Sequence, residues 1–131
     1  TESAQLNLLT SYDYYDAADS IASEIKKTGL KININMISYD RPDNFDLLLV
    51  FWNVPQDPDQ YYFWHSTQTG FKKSNISNYK NIKIDLLLEQ GRNTIDLGER
   101  EKIYQEFQKI IQDDPPALFL YYPYVYTIKR K

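Results

Sequence analysis

Residues 45–52 read FDLLLVFW, and this stretch decides the fold. Only Asp46 interrupts the run, so a strand built from it carries apolar side chains on both faces and needs cover above and below. That is how an interior strand of a parallel sheet reads. The stretch therefore predicts residues 47–51 as a central strand with a neighbour on each side. Upstream, residues 5–10 (QLNLLT) place Leu6 and Leu8 on one face of a short strand. Ala18, Ile21, Ala22 and Ile25 then recur at helical spacing, with Asp16 as the expected cap and Lys26, Lys27 and Gly29 as stop signals. Residues 31–37 (KININMI) alternate Ile32, Ile34 and Met36 with Asn33 and Asn35, the period of a half-buried strand. Strand, helix and strand in succession make a βαβ unit. Residues 40–44 (DRPDN) are a turn by their Pro, Asp and Asn content.

Downstream of the run, residues 53–59 (NVPQDPD) form a loop and residues 60–65 a short aromatic helix. Residues 66–79 are polar, hold Gly70, and are expected to be the most mobile connection. Asn81 caps a helix whose buried stripe is Ile84, Leu87, Leu88 and Gly91. Asp96 with Glu99 has the spacing of a capping box, opening a helix that buries Ile103, Phe107, Ile110 and Ile111 and stops at Pro115-Pro116. Residues 117–128 (ALFLYYPYVYTI) complete the chain as one or two strands broken at Pro123. The sum is one α/β domain over residues 1–131, a small mostly parallel sheet flanked by helices. In such sheets ligands sit beyond the carboxyl ends of the strands, which points at Ser11, Tyr12 and Asp13 and at residues 53–59.

Composition narrows the chemistry. The 131 residues hold 15 Lys and Arg against 18 Asp and Glu, a net charge of −3 that argues against a nucleic-acid partner. The chain has no cysteine, which excludes a disulfide scaffold and thiol catalysis, and one histidine, which excludes a histidine metal cluster. Four glycines leave no phosphate-cradling loop, and no cofactor is implied. The apolar runs are far shorter than the roughly 20 residues that cross a bilayer. Twelve Tyr, six Phe and two Trp are an unusual load of rings, suited to surfaces that are apolar yet able to hydrogen-bond.

Few residues are placed to do chemistry. Asp57-Pro58-Asp59 sets two carboxylates one residue apart, the spacing of a shared hard cation or of an acid pair acting on a glycoside or nucleotide sugar; it is equally a proline turn in which Asp59 caps the next helix. Asp13, Asp16, Asp40, Asp43 and Asp46 all sit at the ends of elements, where capping accounts for them. His65, alone among aromatics, reads as a hydrogen-bonding structural residue. Asn75-Ile76-Ser77 fits the glycosylation pattern, a three-residue motif with little weight of its own. Trp52 is the more telling residue, because it closes the apolar run where a cleft should open and its indole can stack on a ligand or pack in the core.

Taken in order, FDLLLVFWNVPQDPDQYYFWHS, then NYKNIKIDLLLEQGR, then DLGEREKIYQEFQKIIQDDPPALFLYYPY resembles the C-terminal part of the extracellular solute-binding proteins of family 5. These are the oligopeptide, dipeptide and nickel binding proteins of ABC importers. The opening QLNLLT, its helix and KTGLKININ are similar to the same family, so the resemblance runs from Gln5 to Tyr126. Full-length members are several times longer. The resemblance thus implies one lobe of a type II periplasmic-binding-protein clamshell, without the lobe that holds the mature N-terminus. It implies a non-catalytic protein that encloses a small solute, a peptide or an oligosaccharide, between its lobes. It also implies delivery to an ABC permease, and a place outside the cytoplasm, extracellular or periplasmic and membrane-associated.

Ligand contacts are implied for the loop after the tryptophan strand, hence Trp52, Asn53, Val54, Gln56 and Asp57, with Tyr12 from the loop after the first strand. In peptide-binding members an aspartate three residues beyond that tryptophan pairs with the ligand's α-amino group. Pro55 stands there in this chain and the nearest acid is Asp57, which makes an oligosaccharide or other neutral solute the alternative ligand.

Overall fold

The computed structural model describes residues 5–38, 45–124 and 126–130. They fall into two compact units, residues 1–55 and 56–131. The expected turn at residues 40–44, with Asp40 and Asp43, lies outside the described residues.

The first unit is a three-stranded parallel sheet with one helix on it. Strands β1 (Gln5–Thr10), β2 (Lys31–Met36) and β3 (Leu47–Leu49) lie in the order β2-β1-β3. The register pairs Leu6 with Ile32 and Leu8 with Ile34 on one side of β1, and Leu8 with Leu47 and Thr10 with Leu49 on the other. All of these side chains share one face, because parallel partners point the same way. Helix α1 (Tyr15–Lys26) covers that face with Ala18 and Ala22, both fully buried, and with Ile21 and Ile25 beside them. The opposite face is mixed: Asn7, Asn33 and Asn35 share it with Leu9 and Leu48, and Asn35 Nδ2 reaches Asn7 Oδ1 at 3.4 Å.

Two expectations fail here. The central strand is β1, and β3 pairs with β1 alone among the described residues. Strand β3 is also short; Val50 and Phe51, expected within it, are 50% and 54% exposed. Apolarity on both faces reports how much cover a strand needs, not its rank in the sheet, and β1 holds the centre with a single buried leucine, Leu8. Asp46 closes the gap left by the short strand: its carboxylate accepts the Asn7 backbone N–H at 2.7 Å, where a longer β3 would have offered a carbonyl. Thr10, fully buried, fixes the other end by donating to the Leu49 carbonyl at 2.9 Å. The second failure is Asp16, which lies in the first turn of α1 and not at its cap; a 3-10 turn at Tyr12–Tyr14 leads into the helix instead. The acid still favours the helix by its charge near the amino end.

The second unit is helical. A four-residue helix α2 (Tyr61–Trp64) and a 3-10 turn (Ser66–Gln68) precede α3 (Ile82–Asn93) and α4 (Leu97–Asp113). Asn81 caps α3 by accepting from Lys83 N and Ile84 N at 3.0 and 3.2 Å, and Asp96 caps α4 by accepting from Glu99 N at 2.9 Å. The stripe on α3 is the expected one, with Ile84, Leu87, Leu88 and Gly91 buried. On α4 the buried residues are Tyr104, Phe107 and Ile111, while Ile103 and Ile110 are only half-buried. Gly91 explains the substitution of Tyr104 for Ile103: a Cβ there would lie 2.9 Å from the Tyr104 ring, so the glycine makes the space the ring fills.

Residues 66–79 are tied down rather than a loose polar connection. Asn75, fully buried, donates its amide to the carbonyls of His65 and Tyr79 at 3.2 and 2.9 Å and accepts from Tyr79 N at 3.1 Å. Its side chain is thus engaged in the fold, which sets aside the glycosylation pattern at this position. The expected strands of residues 117–128 do not form among the described residues; Leu118, Tyr122 and Ile128 stand 83%, 89% and 96% exposed. A strand is defined by its backbone ladder, and the described residues of this segment enter none.

Candidate solute-binding loops

In the first unit the candidates gather at one end of the sheet. β1 and β3 run parallel and end opposite one another at Thr10 and Leu49, so the loops that follow both leave from the carboxyl edge. Tyr12 stands in the turn after β1, 80% exposed. Trp52, half-buried, with Asn53 and Val54, both exposed, follows β3. The exposed ring of Tyr12 is the kind of apolar surface with a polar handle that the composition called for.

In the second unit Gln56 and Asp57 are exposed, and Asp57 is engaged by charge. Arg100 of α4 reaches Asp57 with Nη2 at 2.8 Å from Oδ1 and Nη1 at 3.5 Å from Oδ2. The Asp59 backbone N–H also donates to Asp57 Oδ1 at 2.8 Å. The Arg100 guanidinium first, and that N–H second, hold the Asp57 carboxyl below the usual carboxylate range. Asp59, expected to cap α2, lies one residue before its cap Gln60; one oxygen accepts from Tyr61 N at 3.0 Å, and the other accepts from Arg92 Nε of α3 at 2.8 Å. Arg92 lies over the Tyr61 ring at 4.1 Å, and Tyr61 stacks on His65 at 4.0 Å, a column of guanidinium, phenol and imidazole. His65 is buried; its Nδ1 accepts from Thr67 N at 3.2 Å and its Nε2 lies 3.3 Å from Glu89 Oε1. It is a hydrogen-bonding structural residue, as the sequence predicts, and the structure shows it capping the 3-10 turn.

Asp57 and Asp59 each sit against a guanidinium, a fixed positive charge that opposes a second cation shared between them. Arg92 and Arg100 are the residues that sequence reasoning passed over. Two acids in one turn followed by arginines on the second and third helices after it were the available sign, but the pairs span 33 and 43 positions and no local pattern connects them.

No family profile matches the chain. The oligopeptide-binding protein AppA of Bacillus subtilis is 30% identical over 116 residues, 82% of this chain and 21% of that protein. The probable D,D-dipeptide-binding periplasmic protein DdpA of Escherichia coli is 29% identical over 108 residues, 76% of this chain and 21% of its own length. Among solved structures, Bacillus subtilis AppA in complex with a nonapeptide superposes with a TM-score of 0.79 at 29% identity, over 92% of this chain and 26% of that one. NikZ of Campylobacter jejuni, in complex with Ni(L-His), superposes with a TM-score of 0.76 at 25% identity, over 86% of this chain and 25% of that one. The chain thus spans about a fifth of the length of the curated relatives it matches. The curated relatives and these structural neighbours are solute-binding proteins of family 5, and the chain is similar to between a fifth and about a quarter of their length.

Proposed function

We propose that this chain is part of a solute-binding protein that captures a peptide in a cleft and delivers it to an ABC permease. The observation that carries the reading is the likeness to oligopeptide-binding AppA, which holds in sequence over 82% of the chain and in fold over 92%. In this reading the chain belongs to one lobe, and the solute is enclosed against a second lobe supplied by the rest of the protein. Tyr12, Trp52, Asn53, Val54, Gln56 and Asp57 line the cleft; the position of the first four at the carboxyl edge of a parallel sheet supports that assignment. The protein binds and does not catalyse, in keeping with relatives that are binding proteins. It works outside the cytoplasm, on the periplasmic or extracellular side, and is held near the membrane that contains its permease.

Purification of the full-length protein that carries this chain, followed by mass spectrometry of the small molecules released on denaturation, tests the reading. Peptides of a few residues are expected in near-stoichiometric amount. A nucleotide sugar or glycoside in their place, turned over in an Asp57-dependent manner, would overturn it.

A further inference from the structure

The turn at residues 57–59 looks acidic in sequence, yet it is electrically closed. Asp57 spends one oxygen on Arg100 Nη2 and the Asp59 N–H, both at 2.8 Å, and turns the other toward Arg100 Nη1. Asp59 spends one oxygen on the Tyr61 N–H and the other on Arg92 Nε. Neither guanidinium is free to swing away. Arg100 Nε donates to the Gly91 carbonyl at 3.0 Å, and Arg92 is laid over the rings of Tyr61 and Tyr62 at 4.1 and 5.0 Å. Two carboxylates therefore face two anchored guanidinium groups, and the turn carries no net charge. A ligand ammonium approaching it meets a positive charge behind each carboxylate, which offsets the attraction that would repay its leaving water.

Resting on the reading that the loop through Asp57 lines the solute cleft, we infer that this turn faces an uncharged part of the bound peptide, its interior or a blocked end. Arg100 sets that preference by compensating Asp57. Arg100 is a positioning residue: it acts on the ligand through the carboxylate it occupies.

The test is calorimetry on the full-length protein carrying this chain, with tetra-alanine and N-acetyl-tetra-alanine as probes. The wild-type protein should bind the two peptides with affinities within about threefold of each other. Arg100→Gln leaves Asp57 uncompensated, so the free-amine peptide should now be favoured by about tenfold, the scale of a charge-assisted hydrogen bond at a partly wet site. Adding Asp57→Asn to that variant should erase the preference, which loss of loop structure alone would not do. Two results would overturn the inference while leaving the cleft in place: a wild-type preference for the free amine of about tenfold or more that vanishes in Asp57→Asn, or an Arg100→Gln variant with an unchanged ratio. If neither peptide binds the wild-type protein, the peptide reading itself fails and takes the inference with it.

Discussion

Asp57 shows how a residue's partners change its meaning. Its side chain is 62% exposed, so the pair with Arg100 adds little to global stability and acts on the geometry and charge of one turn. Because Arg100 lowers its pKa, the folded state holds the Asp57 proton less tightly than the unfolded chain does. The pair is therefore complete above the ordinary carboxylate value and is lost only as pH falls through the lowered one. Carboxyl-carbon NMR should find the Asp57 midpoint below that of an unstructured aspartate, and Arg100→Gln should move it up toward the ordinary value, with the Asp59 N–H still holding part of the shift. An Asp57 midpoint at the ordinary value in the wild-type protein would remove the clamp. Gly91 makes the opposite kind of contribution, by what it lacks. Gly91→Ala improves helix propensity by about 1 kcal/mol, but its Cβ would meet the Tyr104 ring at 2.9 Å, and overpacking typically costs about 1–3 kcal/mol. The net expectation is a lower melting temperature by calorimetric scan, where the same substitution on an open helix face would raise it. Gly91 was legible as part of the α3 stripe, since its spacing from Ile84 and Leu88 is helical. Its partner was not, because nothing in the pattern of α4 favours Tyr104 over Ile103 until the space above the glycine is known.

The elements were legible where a local signal sets them and obscure where a distant one does. Asn81 and Asp96 precede apolar stripes at the cap position, and both accept the backbone N–H groups that the caps require. Asn81→Ala or Asp96→Ala should each cost about 1 kcal/mol, read as a shift of the denaturation midpoint with an unchanged slope. The alternation in β1 and β2 likewise gave their faces correctly, and the asparagines fell on the face opposite α1. The place of β3 escaped this reading because strand order is fixed by pairing across 39 positions, through Asp46 to Asn7 and Leu49 to Thr10, and not by the residues of the strand itself. Thr10 deserves a matching test at this scale: Thr10→Val keeps the shape but leaves the Leu49 carbonyl short of a donor, and should destabilise the first unit by about 1–3 kcal/mol. No loss of stability in that variant would mean that β3 is held by its side-chain packing alone. The segment after Pro116 is the counterexample in which a good strand pattern, rich in Tyr and Leu, produces no strand among the described residues, since pattern supplies propensity and a backbone ladder is needed besides.

At the scale of the whole molecule, the chain spans about a fifth of its curated relatives, and the proposed function gives it one wall of a cleft. In a cleft closed by two walls most of the affinity comes from burying the solute on both sides, while the cost of immobilising it is incurred in full by either wall alone. The isolated chain should therefore bind peptide no tighter than about millimolar, an affinity near 4 kcal/mol. The candidate site was legible only in outline: the parallel sheet directed attention to its carboxyl edge, and the structure places Tyr12 and Trp52 to Val54 there, whereas the charge state of the turn at Asp57 depended on arginines that no spacing rule connects to it. The central claim is that the loop after β3 contacts a solute, and Trp52 is its anchor. The direct measurement is calorimetric titration of the peptide recovered from the full-length protein against that protein and its Trp52→Ala variant. Loss of an aromatic anchor should weaken binding by about 1–3 kcal/mol, with the melting temperature of the unliganded protein little changed. An affinity equal to that of the wild type, in a variant that folds and melts as the wild type does, would contradict the account.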